Sequence, residues 1–144
     1  MHVRIKRIDP TLPLPTYQTN GSVAFDLYSR IDTTVAPKTI VRIPTNIIVQ
    51  TPEHYMLVVV PRSSTPQRKG LSIPQGIGIV DQDYCGPNDE ILLQFYNFTD
   101  SSVSIERGER LGQAAFIRID KAEFSEEEIA AESRGGYGST GTHI

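Results

Sequence analysis

The sequence predicts an all-β fold of sandwich, jelly-roll or distorted-barrel type, with one or two short helices and an extended C-terminal arm. Three observations carry that expectation. Apolar residues fall in short runs that either alternate with polar ones or are dense in Val and Ile, the patterns of half-buried and doubly buried strands. Ten prolines and eleven glycines punctuate the runs, leaving little room for long helices. After Phe124 the chain turns acidic and then glycine-rich without a strand pattern. The expected division is a β domain over 1–124 and a flexible arm over 125–144.

The elements follow in order. HVRIKRI (2–8) alternates, with Val3 and Ile5 toward one side. FDLYS (25–29) alternates too and sets Asp26 opposite Phe25 and Leu27; a carboxylate there is by default the partner of a buried arginine. TIVRIPTNIIVQ (39–50) and YMLVVVP (55–61) are nearly continuous and β-branched, which predicts strands buried on both faces. IGIV (77–80), EILLQFYNF (90–98), SVSIE (102–106) and QAAFIRI (113–119) complete the strands. A short helix is expected over 63–70, where Ser64 or Thr65 would cap and Pro66 would sit in the first turn. A second is expected over 125–132, where Ser125 and Glu128 have capping-box spacing.

Bulk properties exclude several classes. A chain of 144 residues fits one domain with its own core. A net charge of −3 carries no footprint of a nucleic-acid or membrane-surface binder. The single cysteine, Cys85, rules out an intrachain disulfide and suits a reducing compartment, so a cytoplasmic location is expected. The start MHVRIKRID lacks a signal-peptide apolar region. The three histidines are scattered, so no Cys/His group has metal-ligand spacing.

Five stretches have chemical potential. GYGSTG matches G-x-G-x-x-G, but the dinucleotide fingerprint needs a helix and an acidic residue downstream, and three residues remain. RGGYGSTG (134–141) is therefore loose tail or a phosphate clamp made of backbone N–H groups, Arg134, Ser139 and Thr140. In IVDQDYCGPNDE (79–90), Asp81 and Asp83 would share a face if the segment were a strand. They read either as turn-formers or as a site for a general base. VVPRSSTPQRKG (59–70) is either a phosphate site of Arg62 and hydroxyls or a capped helix with a solvated basic face. RGERLGQ (107–113) offers Arg110 and Gln113 as donors, and GSVAFDLYS (21–29) carries Asp26.

Taken singly these are ordinary. In order and spacing, GSVAFDLYS, PRSST, GIVDQDY, GERLGQ and RGGYGSTG resemble the five motifs of the trimeric dUTP pyrophosphatases, or dUTPases, over about residues 10–141. The resemblance implies a dUTPase-like distorted jelly roll (a β-clip barrel) and a homotrimer with active sites between subunits, closed by the C-terminal arm. The implied reaction is dUTP plus water giving dUMP and pyrophosphate, with Mg2+ carried by the triphosphate and no direct protein ligand for it. By position, Asp81 matches the general base and Tyr84 the ring packed under the deoxyribose. Residues 75–84 would form a hairpin whose backbone reads uracil, through Gln75, Gly78, Ile79 and Val80. Arg62, Ser63 and Ser64 match the phosphate-binding turn, and Gln113 a further phosphate-side donor. From the arm, Tyr137 would stack on uracil while Arg134, Ser139 and Thr140 hold the γ-phosphate, with Gly138 also contacting substrate. Asp26, Asp83 and Arg110 would support the site. Three positions depart from the family pattern: Ser64 replaces the usual glycine, Gln75 the common asparagine, and Arg134 lies closer to Tyr137 than is usual.

Two rivals remain. Arg62–Ser63–Ser64 followed by Arg68 and Gly70 also resembles the dCTP deaminases of the same fold. Their deaminating glutamate corresponds to Gln94 in LQFYN, and an amide cannot act as a carboxylate base. The other rival is a non-catalytic module that senses nucleotide, against which Asp81 and the arm both speak.

Overall fold

The computed structural model describes residues 1–136. The strands are β1 (Arg4–Arg7), β2 (Phe25–Tyr28), β3 (Thr33–Val35), β4 (Ile40–Pro44), β5 (Ile47–Gln50) and β6 (Tyr55–Pro61). A five-residue helix, α1 (Thr65–Lys69), precedes β7 (Leu71–Ser72), β8 (Gly78–Val80), β9 (Leu92–Asn97), β10 (Val103–Ile105) and β11 (Arg110–Arg118). They form a four-stranded sheet in the order β2-β11-β6-β8 and a three-stranded sheet β4-β9-β7, flanked by the pairs β1-β5 and β10-β3. All of the pairings are antiparallel. The core lies between the sheets, where Leu27, Leu57, Leu93, Phe95 and Leu111 are almost fully buried.

The all-β expectation holds, and so does α1, with Pro66 in its first turn and Gly70 in the left-handed conformation that closes it. Val3 and Ile5 pack on the core as alternation required. Four expectations are corrected. The run 39–50 is two strands, and β4 leaves Ile40 and Arg42 exposed. It breaks at Asn46, which has φ 74°. Asparagine tolerates that conformation, and the Asn46 side chain ties the break to the end of β1: its Oδ1 accepts from Asp9 N at 2.6 Å and its Nδ2 donates to Asp9 O at 2.9 Å.

Nor is β6 sealed on both faces; buried Leu57 and Val59 alternate with half-buried neighbours. Residues 75–84 do not pair with themselves. Instead β8 adds to β6, with Val58 opposite Ile79, while β7 joins β9. The second helix is absent, and residues 119–136 carry no regular secondary structure. Short helices take most of their stability from packing an apolar face, yet Phe124 and Ile129 are 96% and 88% exposed. The Ser125 hydroxyl donates to Glu127 Oε1 at 3.0 Å. Strands β3 and β7 had no expectation at all, being two or three residues long. No helix among the described residues is long and apolar enough to cross a membrane.

Candidate active site

A cleft of about 320 Å³ opens between β8 and the sheet carrying β4 and β9. Its floor is apolar, from Val59, Ile73 and Ile91, and its rim carries Gln75, Gly78, Ile79, Val80, Asp81, Tyr84, Arg42 and Gln94. At Gly78, β8 lies close against β6: a Cβ there would stand 3.4 Å from Val59 Cβ, within ordinary contact. Beyond Val80 the chain turns, with Tyr84 N donating to Asp81 O at 3.3 Å. Neither Asp81 nor Asp83 is in a strand, so they share no strand face: both lie in the turn. Asp81 borders this cleft, while Asp83 lines a neighbouring depression with Gln82 and Lys121.

The turn is anchored on both sides. Gln82 Nε2 donates to Tyr55 O at 2.9 Å, and Tyr84 donates its hydroxyl to Glu90 O at 3.2 Å. Glu90 is itself held: Arg30 donates from Nε and Nη2 to its two oxygens at 2.9 Å each, and Asn46 N donates to Oε1 at 2.7 Å. Fork geometry of this kind fixes both partners, and the Glu90 carboxylate raises the pKa of Arg30 above its ordinary value. Tyr84 thus hangs from a rigid support.

A second cluster stands elsewhere. Asp26 is 5% exposed and accepts from Arg62 Nε and Arg110 Nη1, each at 3.1 Å. One buried carboxylate aims two guanidiniums and leaves a net positive charge. The turn that carries Arg62 is tied to β11: Arg62 N and Thr65 Oγ1 both donate to Leu111 O, at 3.2 and 2.8 Å. A depression of about 230 Å³ lies here, lined by Arg62, Ser64, Thr65, Arg68, Lys69 and Arg110 among others. Ser64 caps α1 without a side-chain hydrogen bond. Exposed Ser63 flanks the depression without lining it, and Gln113 donates to Pro61 O at 3.3 Å.

The structure thus joins Gln75, Gly78, Ile79, Val80, Asp81 and Tyr84 in one place and Asp26, Arg62, Ser64 and Arg110 in another. It does not bring the two groups together. Arg134 is exposed and borders neither; Tyr137, Gly138, Ser139 and Thr140 lie outside the described residues. Sequence reasoning missed Arg42, which faces Gln94 across the β4–β9 pairing. Only the strand register makes that residue visible. Among the described residues no group of three or more His, Cys, Asp or Glu side chains is placed to hold a metal ion.

Comparison with known proteins agrees with the motif order. The family model described as dUTPase matches residues 11–142. A deoxyuridine 5'-triphosphate nucleotidohydrolase of Dictyoglomus turgidum is 38% identical over 148 residues, covering 98% of this chain and 99% of its own length. One from Thermobifida fusca is 35% identical, covering 99% of this chain and 80% of its own. Among solved structures, dUTPase from Streptococcus mutans superposes with a TM-score of 0.77 at 29% identity, covering 83% of this chain and 98% of that one. Staphylococcus bacteriophage 80alpha dUTPase with dUPNHPP reaches 0.86 at 22% identity over 98% and 99%, a likeness of fold. A family match across both clefts, with close relatives covering nearly the whole chain, makes this protein a member of the dUTPase family.

Proposed function

We propose that the protein hydrolyses dUTP to dUMP and pyrophosphate, with Asp81 as general base. The observation that carries this reading is the exposed Asp81 carboxylate at the rim of the cleft, one turn from the hydrogen-bonded ring of Tyr84. Asp81 would take a proton from water as its oxygen bonds to the α-phosphorus. The bond from that phosphorus to the α,β-bridging oxygen breaks, and pyrophosphate leaves with the electron pair. Arg62 and Arg110, fixed by Asp26, would bind the phosphates of the substrate. Tyr84 would pack against the deoxyribose, where a 2'-hydroxyl would clash, and favour dUTP over UTP.

Mg2+ fits this arrangement as an ion borne by substrate. One carboxylate beside the cleft is a hard oxygen donor, suited to an ion that keeps mostly phosphate and water ligands. When bound it would neutralise charge at the α-phosphate.

The homotrimer is likewise proposed, and the sheet supports the part of that reading in which a site is shared between copies. Asp26 lies on the edge strand β2, and Asp81 follows the opposite edge strand β8. Three strand spacings separate those edges, ~14 Å at ~4.8 Å each. Asp26 is also offset along the strands, standing level with Val60, whereas Val80 stands level with Leu57. Attack and charge stabilisation need contact distances, so one substrate would draw its base from one copy and its arginines from another. The segment 125–144 would be the arm that closes over it, and the cytoplasm, a reducing compartment, would suit free Cys85.

The decisive experiment is pyrophosphate release from dUTP, UTP, dTTP and dCTP with magnesium, for the wild type and Asp81→Asn. Turnover of dUTP should fall by roughly 10²–10⁴ in the variant with binding largely kept. Unchanged turnover removes Asp81 from the chemistry, and a wild type that binds dUTP without releasing pyrophosphate is a sensing module.

A further inference from the structure

We propose that Arg42, Gln94 and Gln75 form a polarised hydrogen-bond relay that makes the base cleft select uracil over cytosine. The inference rests on the functional reading above and adds residues to its site. Arg42 Nε donates to Gln94 Oε1 at 3.1 Å, and Gln94 Nε2 donates to Gln75 Oε1 at 3.2 Å. All three side chains line the cleft.

The direction of this chain is not free. A guanidinium has five donors and no acceptor. Gln94 must therefore turn its oxygen toward Arg42, which leaves its NH2 facing Gln75. Gln75 must answer with its own oxygen, so the group it has left for a ligand is its NH2. A cation on β4 thus sets, two amides away, the sign of the hydrogen-bonding group at the cleft. Arg42 stands directly opposite Gln94 in the register, and makes no ion pair among the described residues. Its charge is not neutralised by a carboxylate that would compete for this role.

The two pyrimidines differ at the atoms such a group would meet. Uracil presents a carbonyl oxygen at C4; cytosine presents an amino group there. A donor meets the first well and the second as donor against donor. Arg42 and Gln94 are positioning residues, and Gln75 is the specificity-determining contact.

The relay also predicts its own reversal. A carboxylate at position 94 accepts with both oxygens. Gln75 would then donate its NH2 to residue 94 and present its oxygen to the cleft, which suits the cytosine amino group.

The experiment measures kcat and KM for pyrophosphate release from dUTP and dCTP in the wild type, Arg42→Leu, Arg42→Lys, Gln94→Leu and Gln94→Glu. Affinities for dUMP and dCMP are measured calorimetrically on the same proteins. The dUTP-to-dCTP ratio of kcat/KM should fall roughly tenfold in Arg42→Leu and Gln94→Leu, mostly through KM. It should fall further in Gln94→Glu and be largely restored in Arg42→Lys, which also only donates. Arg42 is exposed, so its variants leave the core intact. A ratio that stays constant across the series while dUTP is turned over overturns the relay and leaves the hydrolase reading standing. A wild type with no pyrophosphate release, but with the same order in its dUMP and dCMP affinities, overturns the hydrolase reading and keeps the relay.

Discussion

Replacing Asp26 by asparagine separates the charge of this side chain from its shape. Asn is nearly isosteric, so the β2–β11 register survives, but only one of its two terminal atoms accepts. Either Arg62 or Arg110 then faces an NH2, donor against donor. Charge-assisted hydrogen bonds contribute ~1.5–3 kcal/mol when buried. Here the arginine side chains are 32% and 40% exposed, so solvent screening brings each bond down to about 1 kcal/mol. One bond is lost and the other keeps its acceptor without the charge, so the expected destabilisation is ~1–2 kcal/mol, read from the urea midpoint of the intact assembly at fixed protein concentration. The kinetic effect should be larger on KM than on kcat, roughly a tenfold rise in KM for dUTP, because the two guanidiniums lose their common anchor. Combining it with Asp81→Asn tests whether the two clusters meet. Sites 14 Å or more apart without shared partners give additive free energies, whereas groups on one substrate couple. Loss of stability with an unchanged KM, or strict additivity in kcat/KM, would refute the placing of Asp26 and its arginines at the substrate.

Three further outcomes are expected. Arg107 donates to Asp9 at 2.6 Å and Thr11 also donates to it. Led by the Arg107 hydrogen bond, these hold the Asp9 carboxyl well below its usual range. A depressed folded-state pKa contributes stability that is complete above the unfolded value, ~3.9, and lost as pH falls through the folded one. The melting-temperature gap between wild type and Asp9→Asn should thus be constant above about pH 5 and shrink toward zero in stronger acid, as followed by circular dichroism. A Cβ built at Gly112 would stand 2.6 Å from Leu93 Cδ2 and 3.2 Å from Val60 O. Because Leu93 is sealed in the core, Gly112→Ala should cost ~1–3 kcal/mol in urea unfolding. Ending the chain after Ser133 should leave the β fold and its assembly intact by light scattering while removing most dUTP turnover. An unfolded truncation would mean that the arm is structural.

Why some of this was legible and some was not comes down to what carries each signal. Period and punctuation are local, so YMLVVVP, EILLQFYNF and QAAFIRI could be read as strands and Pro66 as a helix start. Strands β3 and β7 exist because β10 and β9 offer partners, and nothing within two or three residues announces a partner. The break at Asn46 is a tertiary event: a positive φ held by Asp9, 37 residues away. The missing helix over 125–132 shows the converse, since a capping-box spacing cannot hold a helix whose apolar residues have nothing to pack on in this chain. At the site, contiguous motifs put Asp81 beside Tyr84 and Arg62 beside Ser64, but contiguity does not tell which motif meets which. Asp26, Arg62 and Arg110 converge because β2, β6 and β11 are neighbours, whereas Asp81 leaves from the far edge. Arg42 was invisible for the same reason, as its meaning lies in the residue opposite it. The sequence therefore supplies the chemical groups and the sheet register decides their company. The ~14 Å across the sheet between the strands that carry Asp26 and Asp81, added to their offset along those strands, is the strongest physical reason to expect that a second copy completes the site.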